Sequence, residues 1–195
     1  MARQIACARP APEATRDLLR WLSPSRPRGE PTPAAVLVRW STARAGSRSC
    51  SPNAAAIFPD HPGQIQLFRA ARVDRGDQRR AQRHAARGAE EVGLPRERVT
   101  LLGRLAEYET VTGYRVTPVV GWVEPPFEVR PDPVEVADVF EVPLAFLLEP
   151  AHQERHFRML GELRRDYYAI PYGERYIWGA TAAMLMILDR TLRAA

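Results

Sequence analysis

The clearest β-forming runs of this chain, residues 99–108 (VTLLGRLAEY) and 115–123 (RVTPVVGWV), are separated only by the loop Glu109-Thr-Val-Thr-Gly-Tyr114. Two such runs so close together commit the fold to a sheet. A third run, residues 34–40 (AAVLVRW), reads as a buried strand, and the Pro- and Gly-rich stretch 23–33 before it as a linker or turn. Residues 41–62 dissolve into Ser, Ala, Arg and Pro with neither alternation nor a helical stripe, so no good strand is expected there. Residues 134–141 carry a strand or turn. Residues 167–170 and 175–177 flank Pro171-Tyr-Gly173 as a hairpin.

Helical spacing marks Leu18, Leu19 and Leu22 within residues 13–22. Residues 78–92 lack Pro and are closed by Gly93 and Pro95, which predicts a helix. A short helix at 144–148 and an apolar one at 179–192 complete the set, with Met184, Met186 and Leu188 expected in the core. His152 and His156 are read as part of a charged, solvated helix rather than as a metal pair, and His61 and His84 have no metal spacing either. This order gives an α/β fold with a mixed sheet packed between helices.

With 195 residues, 45% of them hydrophobic, the chain has material for one core. It divides into an N-terminal helix and linker, residues 1–33, and a main domain, residues 34–195. No run of about 18 apolar residues occurs, and the first residues do not form a secretory signal, so a cytoplasmic protein without membrane contact is expected. Cys7 and Cys50 are too few for a disulfide framework. All 28 basic residues are Arg, against 23 acidic ones, for a formal charge of +5, a bias that points to a GC-rich genome. The excess reads as a solvated basic surface. Nucleic acid is not the expected partner, because the Arg-rich segment holds only Phe68 for stacking.

The chemistry begins with Glu90-Glu91-Val-Gly-Leu94 at the end of a predicted helix. Two adjacent carboxylates beside a turn can reach one hard cation. Mg²⁺ takes oxygen ligands and keeps several waters, which suits a site completed by a pyrophosphate.

Around this cluster the chain resembles the Nudix hydrolases and, within them, the coenzyme A pyrophosphatase group. Gly63-Gln64-Ile65 and Phe68 are similar to the group's G-Q-(I/V)-x-F stretch, residues 72–77 (RVDRGD) to its R-V-E-P-G-D, and Glu90, Glu91, Gly93 and Leu94 to the end of the Nudix box. Residues 111–121, 135–144 and 176–182 are similar to that group almost residue by residue. The resemblance implies a Nudix-type α/β/α sandwich that cleaves the pyrophosphate bond of coenzyme A or a related nucleoside diphosphate derivative, as a monomer or homodimer. It also implies Mg²⁺ or Mn²⁺ held by Glu90 and Glu91, with Glu90 and Glu135 as catalytic carboxylates. Substrate contacts are implied for Gly63 and Gln64 and for the loop Thr112-Gly113-Tyr114.

The departures from the family fall on the chemistry. Phe68-Arg-Ala-Ala71 stands where the group has F-P-G-G, and Ala86-Arg87 where the box has R-E. Seven Arg lie between Arg69 and Arg87 against Asp74 and Asp77. The alternative reading is therefore a degenerate Nudix domain that binds a nucleotide or partner without catalysis. Family pattern holds at 34–38, 61–65, 72–77 and from 90 onward and lapses between, the patchwork that compensating frameshifts leave in a GC-rich gene. Independent resequencing tests that origin, and an unchanged reading frame rejects a sequencing error.

Overall fold

A strand whose neighbouring positions are all apolar offers neither face to water, and the five residues 34–38 are all buried. They lie in β1 (Thr32–Ala43), the middle strand of a mixed sheet. The structure is a computed structural model that describes residues 13–22, 30–43, 46–54, 71–72, 96–124 and 136–194.

On one side β1 runs parallel to β6 (Tyr114–Val123), in register from Thr32 opposite Tyr114 to Trp40 opposite Trp122. On the other it turns into β2 (Gly46–Ala54), which lies antiparallel between β1 and β7 (Val136–Pro143). The two-residue β3 (Ala71–Arg72) also pairs with β1. Beyond β6 lie β4 (Val99–Arg104) and β5 (Tyr108–Glu109), both antiparallel to it. The expected mixed sheet is therefore present. The strand at 46–54 corrects the expectation that residues 41–62 make a poor strand. Its Ser, Arg, Pro and Asn residues are poor β-formers, but ladders on both sides supply what the local sequence lacks.

The predicted strand 99–108 is split in two, and Pro118 explains the break. The Pro118 carbonyl accepts the Leu105 amide at 2.9 Å, so that edge of Pro118 faces the 99–109 segment. Proline has no N–H to give back on the same edge. The ladder fails there: Arg104 is opposite Val119 and Tyr108 opposite Val116, while residues 105–107 bulge out between them.

A second, three-stranded antiparallel sheet comprises β8 (Glu154–Leu160), β9 (Leu163–Tyr172) and β10 (Arg175–Trp178), with β9 in the middle. The predicted hairpin is present as β9 and β10. The predicted charged helix around His152 and His156 is not. His152 closes a short 3-10 turn, Pro150–His152, and His156 lies within β8. Pairing with β9 along the whole of β8 overrides the charge pattern, and an outer strand can carry polar side chains on both faces.

Three helices are described: α1 (Glu13–Leu22), α2 (Leu144–Leu147) and α3 (Gly179–Arg193). The helix predicted over 78–92 lies outside the described residues. Glu13 sits in the first turn of α1, where a negative charge favours the helix dipole. Residues 181–189 of α3 are buried without interruption, so this helix is the centre of the core rather than its cover. Met184, Met186 and Leu188 pack there with Val36 and Val38 of β1, Val116 and Val120 of β6, Ile170, Ile177 and, from α1, Leu18. Each such side chain contributes about 1.5–3 kcal/mol by leaving water. Among the described residues no helix is long and apolar enough to cross a membrane.

A carboxyl group is carried into this core. Asp189 is 1% exposed and accepts a hydrogen bond from Arg193 Nε at 2.7 Å. Arg193 Nη2 also donates to the Leu148 carbonyl at 2.6 Å, which ties the end of α3 to the end of α2.

Candidate functional site

The described part of the predicted site is the loop between β5 and β6. Thr110 and Tyr114 close it, the Thr110 amide donating to the Tyr114 carbonyl at 2.8 Å, and the Gly113 amide donates to the Thr110 carbonyl at 3.1 Å. The Thr110 hydroxyl oxygen accepts the Tyr114 amide at 3.1 Å and lies 2.9 Å from the Thr112 hydroxyl. Gly113 has φ +87°, a left-handed conformation that side chains resist, which is why the turn holds glycine. The Gly113 carbonyl in turn accepts the Thr32 amide at 2.8 Å and pins the loop to the start of β1. Val111, Thr112 and Tyr114 are exposed on this rigid frame.

The same end of the sheet gathers four strands. Arg72 of β3 is opposite Ala34 of β1, Ala34 opposite Val116 of β6, and Val116 opposite Tyr108 of β5. Segments distant in sequence, the start of the 72–77 family stretch and the 110–114 loop, therefore meet at one rim. Arg115 stands at the base of the loop, with Nε and Nη2 donating to Glu109 Oε1 at 3.1 and 3.0 Å. Sequence reasoning passed over this pair, although opposite charges flanking a hairpin loop were a readable signal. Beneath it, burial pushes the Tyr108 hydroxyl up to about 12, so this group stays neutral.

Of the other predicted site residues, Gly63, Gln64, Glu90, Glu91 and Glu135 lie outside the described residues. Among the described residues no group of three His, Cys, Asp or Glu side chains could hold a metal ion. His152 and His156 are engaged elsewhere: His152 Nδ1 is 3.0 Å from the Phe146 carbonyl with its ring stacked on Phe146, and His156 Nε2 is 2.7 Å from Glu154 Oε2. What the described geometry can do is present a fixed loop with an exposed Thr112 hydroxyl and an exposed Tyr114, an arrangement that suits a polar substrate group.

No protein-family model matches the chain. Among curated proteins it is similar to an uncharacterized Nudix hydrolase, NudL, of Pectobacterium atrosepticum, 32% identical over 160 residues that cover 80% of this chain and 73% of that protein. The NudL of Photorhabdus laumondii is 33% identical over 131 residues, 67% of this chain and 69% of that one. Among solved structures, a Nudix hydrolase from M. smegmatis, RenU, is similar at 22% identity and a TM-score of 0.48, over 60% of this chain and 73% of that chain.

Proposed function

Since the chain belongs to the Nudix hydrolase family, we propose that it hydrolyses the pyrophosphate bond of coenzyme A or a closely related nucleoside diphosphate derivative. The mixed sheet with its C-terminal helix is the Nudix fold. The finer reading is supported by one observation: the three segments that resemble the coenzyme A group are structural units of this molecule. Residues 111–121 make the loop and most of β6, the described part of the 135–144 segment, residues 136–144, makes β7 and the start of α2, and residues 176–182 join β10 to α3. On this reading residues 34–195 carry the hydrolase domain, to which Thr32 at the start of β1 and Leu18 of α1 also contribute, and the location is cytoplasmic.

The donor set fits Mg²⁺ or Mn²⁺ in kind, since Glu90 and Glu91 are adjacent oxygen donors. When bound, such an ion neutralises the diphosphate and eases attack by water. Glu90 and Glu91 would hold it. Glu135, or Glu90 itself, would orient the attacking water and take its proton. Thr112, Gly113 and Tyr114 would bind the nucleotide part, with Gly63 and Gln64 on the diphosphate side.

Incubation of the protein with coenzyme A and Mg²⁺ tests this. The expected products are adenosine 3',5'-bisphosphate and 4'-phosphopantetheine, and Glu91→Gln should lower turnover by at least about a hundredfold. The second reading, a non-catalytic binding module, is favoured by Ala86-Arg87, which leaves the box one carboxylate short. Binding of coenzyme A without turnover, unchanged in Glu91→Gln, would establish it and overturn the first.

A further inference from the structure

Strand β8 is hydrogen-bonded on one side only, to β9, and is an outer strand of its sheet among the described residues. An open edge is a template for another strand. This one also exposes apolar surface, with Phe157 and Met159 56% and 52% exposed on one face. Its other face carries Glu154, His156 and Arg158, with Glu154 Oε2 2.7 Å from His156 Nε2, so an arginine reaching in from a partner would share that carboxylate.

We propose that β8 pairs with β8 of a second copy of this chain, antiparallel and centred on His156, so that two three-stranded sheets join into one of six strands. The charge pattern selects both the partner and the register. A two-fold axis perpendicular to the sheet keeps each face with its own kind, so the pairing must be centred on a single residue. Centred on Arg155 or on Arg158, it sets two guanidinium groups directly against each other. Centred on Phe157, it sets His156 against Arg158 and leaves Glu154 opposite Leu160. Centred on His156, it sets Glu154 against the partner's Arg158 twice. Opposite charges directly across a ladder are favourable, and like charges are not.

A ladder of five residues per strand, Glu154 to Arg158, buries much less than the roughly 1,600 Å² of a standard interface, so the dimer is weak and concentration-dependent. Sedimentation velocity over a hundredfold range of concentration tests it. The expected result is a rising share of dimer that Arg158→Glu abolishes and that Glu154→Arg combined with Arg158→Glu restores. Thermal melts of each variant confirm that it is folded. In His156→Cys, the paired Cα atoms fall within disulfide reach, so oxidation should yield a dimer linked through position 156 on both chains, identified by peptide mass spectrometry. A monomer at every concentration overturns the proposal. So does a dimer indifferent to Arg158→Glu, or one whose cross-link maps elsewhere.

Discussion

Tyr108 and Gly121 show what single residues contribute. The Tyr108 hydroxyl is held at about 12 by burial, against 10 in an unfolded chain. Below pH 10 both states keep the proton and the residue adds no pH dependence. Between about pH 10 and 12 only the unfolded state releases it, so stability falls with rising pH, by about 3 kcal/mol in total. Tyr108→Phe should remove that part of the alkaline slope, read from urea melts across this range. Gly121 is a matter of space. A β-carbon there would stand 2.8 Å from Leu37 Cδ1 and 3.1 Å from Val99 Cγ1, and Leu37 is fully buried with little room to yield. Gly121→Ala should therefore destabilise by about 1–3 kcal/mol, outweighing the fraction gained from a stiffer unfolded chain, and a shifted urea midpoint would measure it. Neither effect could be read from the sequence, where Gly121 is only an interruption in an apolar run and Tyr108 only the end of one.

At the scale of elements, two joints can be tested. Gly113→Ala places a side chain at φ +87° in the loop between β5 and β6 and should cost about 1–2 kcal/mol, seen as a lowered melting temperature. Arg193→Ala strips the close partner from buried Asp189 and releases the Leu148 carbonyl. Arg193 is itself half exposed, which discounts the loss to about 2 kcal/mol, measurable by chemical denaturation. The sequence was legible wherever an element's own side chains decide it. Leu18, Leu19 and Leu22 mark α1 within its observed bounds, the apolar run from Gly179 marks α3, and Gly113 marks the site loop. It was illegible where partners decide: β2 exists through its two neighbours, β8 through β9, and the break after Arg104 through a proline on another strand.

For the whole molecule, the layered arrangement was readable because residues 34–38 leave no face for water. Family membership followed from motifs spread over most of the chain. Which residues meet at the β3–β1–β6–β5 rim was not readable, since it depends on registers that only the assembled sheet fixes. The activity assay belongs at this scale too: loss of turnover in Glu91→Gln with an unchanged urea midpoint would separate chemistry from folding.

The parallel ladder between β1 and β6 has a kinetic consequence. Its partners are about eighty positions apart along the chain, as Thr32 with Tyr114, so the central seam cannot nucleate from local contacts and must wait on closure of a very long loop. Refolding should be slow for a protein of this length. On the ribosome, β1 must emerge long before its mate, leaving a sticky apolar segment for chaperones to shield.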